Sequence, residues 1–324
     1  MTTLYPWLEP CLQTLVDVLA RNRLPHGLLV TGQPGTGKAA FASILAQLLL
    51  CEARDGHAAP CGKCTACIQF QAGTHPDCFS VAPEEDSQVI KVDQVRELGE
   101  QLALSSHRAG FKVAIMNPAE AMNINAANSL LKTLEEPSDN TLLVLVSTRP
   151  AWLPATIRSR CQQLRIPTPD PDVARIWLAT QLDGQDPDRY LQLANGAPLE
   201  ALRLAGAGVI ETRRMQFQTL VHVLDGKVDP LQVAADWCKD EGLQAVLWLR
   251  DWLMDLIRIR ATGQAGTVHS VDLVEGLAGL APRLDSRVLF RQLDNINRLL
   301  YNNDGSLNRQ LMTEDILLAW AARQ

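Results

Sequence analysis

Gly32, Gly35, Gly37 and Lys38, in the run Gly32-Gln33-Pro34-Gly35-Thr36-Gly37-Lys38-Ala39, have the types and spacing of a phosphate-binding loop. Glycines there let backbone N–H groups close on phosphate oxygens, and a lysine ammonium neutralises the outer charge of a triphosphate. The next position breaks the pattern: a Ser or Thr hydroxyl would hold Mg²⁺, and Ala39 has no oxygen. A second cluster follows at Cys51, Cys61, Cys64 and Cys67. Two overlapping Cys-x-x-Cys steps, with a further thiolate from the end of the preceding helix, can close round one tetrahedral ion. A Cys₄ set without an open position is the chemistry of a structural Zn²⁺ site, coupled to folding. Iron–sulfur clusters use similar steps, but here Ile68 rather than proline follows the last cysteine. His57 and His75 lie close by, and the four thiolates complete the site without them.

An α/β frame is needed to position these groups. Leu28, Leu29 and Val30 predict an apolar strand that delivers the loop, and Phe41, Ile44, Leu45, Leu48 and Leu49 predict the helix behind it. Phe79 to Ala82, Phe111 to Met116 and Leu142 to Val146 predict further strands. Between them, one helix opens near Asp93, which can cap it, and another runs from Asn125 to Glu136 and stops at Pro137. Such alternation predicts a parallel sheet covered on both faces. Leu12, Leu15, Val16 and Leu19 mark an entry helix with Trp7 and Leu8 packed beneath it. His26 reads as structural, and Glu120 as a solvated loop charge beyond the strand end at Asn117-Pro118. The prolines at 167, 169 and 171 place a boundary near residue 166. Residues 167–207 read as a small helical domain and 208–324 as an all-α domain, with Trp237, Trp248, Trp252 and Trp320 as core anchors rather than base-stacking groups.

Composition narrows the function classes. A chain of 324 residues with 47% hydrophobic and 20% charged residues can bury a sizeable core in more than one domain. A net charge of −6 argues against gripping nucleic acid through a broad basic face of its own. Met1 to Ala20 carries no Lys or Arg, and the apolar stretch from Leu243 to Arg260 is broken by Arg250, Asp251, Asp255 and Arg258, so a soluble, cytoplasmic protein without membrane contact is expected. Of eight cysteines, four crowd into one window, which favours metal over a disulfide scaffold.

Taken together, Leu24-Pro25-His26, the cysteine module, Gly73-Thr74-His75-Pro76-Asp77, Val92-Asp93-Gln94-Val95-Arg96, Asn128 to Pro137 (Asn-Ser-Leu-Leu-Lys-Thr-Leu-Glu-Glu-Pro) and Ser159-Arg160-Cys161 resemble the clamp-loader subunits of bacterial DNA polymerase III, members of the AAA+ superfamily. The resemblance implies an α/β AAA+ P-loop domain over 1–166 with the zinc module inserted at 51–67, a small helical lid domain over 167–207 and an all-α collar over 208–324. Three departures from the family pattern stand out. The acidic pair expected after the Phe111 to Met116 strand is Asn117-Pro118, the sensor arginine of Gly-Ser-x-Arg falls on Leu199, and Ala39 replaces the metal hook. These departures resemble the member of the family that does not hydrolyse ATP, rather than the gamma or tau motor, and the length without a long polymerase-binding tail agrees. Lys38 keeps the chemistry for weak nucleotide binding.

By the same resemblance, Arg160 matches the family's arginine finger, which acts in trans on ATP held by the next subunit. The implied partners are gamma/tau and delta in a hetero-oligomeric ring, with the sliding clamp and primed DNA met through the complex. No independent ATPase activity is then expected; the chain would serve as one subunit of the polymerase holoenzyme. Two competing readings draw on single motifs: an active ATPase motor on Gly32, Gly37 and Lys38, and a zinc-dependent nucleic-acid-binding module on the cysteines.

Overall fold

The computed structural model describes residues 4–53, 59–85, 87–106, 110–206, 208–239, 244–301 and 308–322. They fall into two compact units, one comprising residues up to Trp177 together with Ala197–Glu200, the other Leu178–Gly196 and the residues from Ala201 on.

The first unit holds α1 (Glu9–Ala20), β1 (Gly27–Thr31), α2 (Lys38–Leu50), α3 (Thr65–Gln71), β2 (Cys78–Val81), α4 (Val92–Ala103), β3 (Lys112–Met116), α5 (Ile124–Glu135), β4 (Thr141–Ser147), the short α6 (Ala155–Arg158), β5 (Gln162–Arg165) and the start of α7 (Pro171–Ala179). Its sheet has the order β2-β3-β4-β1-β5 and every pairing is parallel, with Leu29 opposite Leu145 and Gln163. The expected α/β architecture with a parallel sheet is therefore present. Alternate residues of β1 divide between the faces, as a strand's period of two requires. Leu28 and Val30 join Leu12, Leu15, Phe41, Leu45 and Leu48 on the side of α1 and α2, while Leu29 joins Leu98, Leu102, Leu130 and Leu134 on the side of α4 and α5.

One element carries no sequence signal and one local expectation is corrected. β5 carries no apolar run, Gln-Gln-Leu-Arg, and is an exposed edge strand whose existence rests on its pairing with β1. Asp93 does not cap α4; the helix begins at Val92, the Gln94 side chain accepts from the Lys91 N–H at 2.9 Å, and Asp93 pairs with Arg96 at 3.3 Å. At the other end of α4, the buried Lys112 donates to the carbonyls of Leu102 and Leu104 and to Ser138. A cation at a helix C-terminus satisfies carbonyls that have no partner within the helix.

In the second unit, α8 (Pro187–Leu193) and the rest of α9 (Pro198–Ala205) are followed by α10 (Val209–Leu224), α11 (Pro230–Trp237), α12 (Gln244–Thr262), α13 (Val274–Leu280), α14 (Ser286–Tyr301) and α15 (Arg309–Ala321). Trp237, Trp248, Trp252 and Trp320 are all buried in one core, with Phe217 edge-on to Trp252 at 5.3 Å. Beside that core lies a buried polar knot. Asp255 is 0% exposed; it accepts from the backbone N–H groups of His269 and Ser270 and pairs with Arg258 at 2.9 Å. Arg213 donates to the Ser270 hydroxyl at 2.6 Å and lies 3.5 Å from Asp272. Replacing Asp255 by Ala strands two backbone donors and a guanidinium at once, and should lower stability by about 2–4 kcal/mol in urea unfolding.

Candidate functional site

The phosphate-type loop leaves the C-terminal end of β1, the place where open parallel sheets bind ligands. Gly35 and Gly37 take φ values of 76° and 89°, in the left-handed region that favours glycine, and Gly37 is the N-cap of α2. The loop is bonded to its own chain. Lys38 is 6% exposed and its Nζ donates to the Gln33 carbonyl at 2.7 Å; the Thr36 hydroxyl donates to the same oxygen at 2.8 Å. The Trp7 indole N–H reaches the Thr36 carbonyl at 2.9 Å, so Trp7 serves the loop as well as α1. Tyr5 stacks on Trp7 at 5.0 Å, and Trp177 meets both rings edge-on. Across the loop, the Leu199 N–H donates to the Gly35 carbonyl at 3.0 Å, and a Cβ on Gly35 would come within 2.6 Å of Glu200 Cβ. Leu199, on which the sensor arginine of the family pattern falls, thus lies directly against the loop.

Burial holds the Lys38 ammonium below its ordinary lysine pKa, partly offset by the carboxylate of Glu120. Glu120 corrects the sequence expectation. It is half-buried rather than solvated, and its Oε1 accepts from the Thr148 N–H at 3.0 Å and the Thr148 hydroxyl at 2.7 Å, tying the segment after β3 to the end of β4. Its place a few residues beyond a buried strand was the available signal, but the partner that draws it in is Thr148, 28 positions away. His26 is exposed and offers its backbone carbonyl to Leu143 at 2.8 Å.

The cysteine site is assembled between α2 and β2. Cys51 is the C-cap of α2 and Cys64 the N-cap of α3, so two helix ends fix half of the ligand set. The Sγ atoms of Cys51, Cys61, Cys64 and Cys67 all lie within 4.8 Å of one another, with 4.0 Å between those of Cys51 and Cys64. A tetrahedral ion with bonds of about 2.3 Å needs edges of about 3.8 Å, so the set fits one metal ion. Backbone N–H groups of Cys61, Cys64 and Cys67 point at the sulfurs of Cys51, Cys61 and Cys64, each at 3.4 Å, which stabilises thiolates. Backbone N–H groups of Lys63 and Cys64 bring Cys61 down to about 6, whereas burial pushes Cys67 up to about 12 and raises Cys51. His75 turns elsewhere, its Nδ1 accepting from the Asp77 N–H at 3.1 Å; His57 lies outside the described residues.

Arg160 follows α6. Its Nη2 lies 2.6 Å from Glu135 Oε1 at the C-terminal end of α5, and its Nη1 donates to the Thr156 carbonyl at 3.0 Å. It is a surface group, and its side-chain partners among the described residues, Glu135 and Thr156, belong to neither the phosphate-type loop nor the cysteine cluster.

The cysteine geometry makes a prediction about metal and pH. Because the Cys67 and Cys51 thiols keep their protons at neutral pH and a metal binds thiolates, Zn²⁺ added to demetallated protein should expel protons. Its affinity should fall from about pH 8 to about pH 6, measured by competition with a chromophoric indicator. Affinity flat across that range would show that these thiols do not ligate.

Comparison with known proteins gives the family. A family model described as DNA polymerase III, delta subunit, matches residues 7–170, and one described as DNA polymerase III, delta subunit, C terminal, matches 208–322. A Pseudomonas aeruginosa DNA polymerase III subunit delta' is 36% identical, the alignment covering 99% of this chain and 98% of the relative. The Escherichia coli subunit of the same name is 34% identical over 97% and 94%. A crystal structure of a gamma subunit-related protein from Thermotoga maritima covers 96% of the chain and 99% of its own at 18% identity, with a TM-score of 0.44. With a parallel P-loop sheet, a Cys₄ site and relatives of this identity along nearly the whole length, the chain belongs to the delta' family of DNA polymerase III clamp-loader subunits, within the AAA+ superfamily.

Proposed function

We propose that the chain is the non-hydrolysing stator of a DNA polymerase III clamp loader, donating Arg160 as an arginine finger to ATP held by a neighbouring gamma/tau-type subunit. The observation that carries this reading is the state of the chain's own cradle. Ala39 supplies no metal ligand, Leu199 stands in the sensor position, and the loop is bonded by Lys38, Trp7 and Leu199 to its own backbone. With the metal hook, the acidic pair and the sensor charge all replaced, little remains to stabilise charge on a γ-phosphate at this site. An exposed guanidinium keeps the one function that works across an interface, and the planar fork of arginine suits it better than lysine.

In this reading residues 208–324 form the collar that holds a ring with gamma/tau and delta, 167–207 the lid, and the ring places the sliding clamp on primed DNA. The cysteine site holds a structural Zn²⁺, and the protein works in the cytoplasm. Among the described residues no helix is long and apolar enough to cross a membrane. A net charge of −6 leaves DNA contact to the assembly rather than to this chain alone.

The retained Gly32, Gly37 and Lys38 favour the competing motor reading, and ATPase measurements separate the two. The pure chain should show no turnover, and Lys38→Ala should leave the reconstituted complex within about twofold of its activity. Arg160→Ala should remove about 10³ to 10⁵ in rate at the one neighbouring site, seen as lost ATPase and clamp loading without loss of folding. Turnover by the pure chain that Lys38→Ala abolishes would establish the motor instead.

A further inference from the structure

We infer that Glu135 parks Arg160 in the free subunit, so that the carboxylate and a neighbour's triphosphate compete for one guanidinium. This rests on the finger role proposed above. Both terminal nitrogens of Arg160 are engaged within the chain, Nη2 by Glu135 at 2.6 Å and Nη1 by the Thr156 carbonyl. A carboxylate at that distance cancels most of the field that the guanidinium could present to phosphate oxygens, and itself repels them. Arg160 can serve a triphosphate fully only after leaving Glu135.

The surrounding structure fixes the pair. Leu134, next to Glu135, and Cys161, next to Arg160, meet over Gly27 at the start of β1, where an added Cβ would lie 2.9 Å from Leu134 Cδ2 and 3.2 Å from Cys161 Sγ. The backbones carrying the two charges are therefore held in register by packing. Only the side chains need move on release. The pair is also half in solvent, the side chains being 36% and 50% exposed, which makes it weak enough to give way. Glu135 is thus a positioning residue that restrains the finger until a stronger anion arrives.

The test uses the complex reconstituted with the full-length chain and ATP. Glu135→Gln keeps the side-chain shape and removes the charge. It should raise kcat/KM for ATP by about two- to sixfold, the factor by which an exposed ion pair depletes the free form. The gain should shrink as salt is added, since salt already weakens the wild-type pair. In an Arg160→Ala background Glu135→Gln should change nothing. In the free chain, rotation of the Arg160 guanidinium, followed by NMR, should quicken in E135Q. An unchanged or lower kcat/KM in E135Q would overturn the parking role while leaving the finger standing. A gain that persists without Arg160 would overturn it too. If Arg160→Ala alone leaves the complex fully active, the finger reading itself fails and the parking role with it.

Discussion

Two hydrogen bonds fix the path of the loop after β1: the Trp7 indole to the Thr36 carbonyl, and the Leu199 N–H to the Gly35 carbonyl. A phosphate cradle binds through its backbone N–H groups and its lysine, whereas its carbonyls must find donors elsewhere. Here residues from before α1 and from the start of α9 take up loop carbonyls, and Lys38 turns inward to Gln33. The turn is thereby packed against its own chain at the C-terminal end of β1. The Tyr5, Trp7 and Trp177 rings add apolar cover on one side, and Glu200 closes against Gly35.

The remaining charges of this unit each answer a local need. Glu120 anchors the end of β4 through Thr148, and Lys112 closes the C-terminus of α4. The Arg160 charge lies outside the loop, on the short segment between α6 and β5, where the edge position of β5 leaves it exposed. The cysteine site is separate again, with two of its four thiols fixed by helix ends and all four placed to take one metal ion. Loop, ion pair and metal site are three local solutions attached to one sheet.

The helical unit is organised by the opposite principle. Its tryptophans form one apolar core, yet the segment between α12 and α13 is held by a carboxylate with no access to solvent. Asp255 accepts backbone N–H groups that a loop cannot bond to itself, which is how a buried charge becomes tolerable.

The sequence by itself determined the phosphate-type loop and its missing oxygen at Ala39, the Cys₄ set, the apolar strands β1, β3 and β4 and the tryptophan core. Each of these is written in residue type and short-range spacing, and a period of two or a Cys-x-x-Cys step needs no partner to be read. Tertiary structure alone decided that Gln162–Arg165 is a strand, because an edge strand without apolar alternation exists only through its pairing with β1. It also decided that Glu120 is half-buried, that Trp7 belongs to the loop, that Gln94 rather than Asp93 closes the start of α4, and that Arg160 rests on Glu135. In most of these the deciding partner lies far along the chain, and for the start of α4 two polar side chains compete within one turn. Charge and hydrogen-bonding groups take their role from whatever the fold brings within about 3 Å, and sequence spacing does not encode that distance.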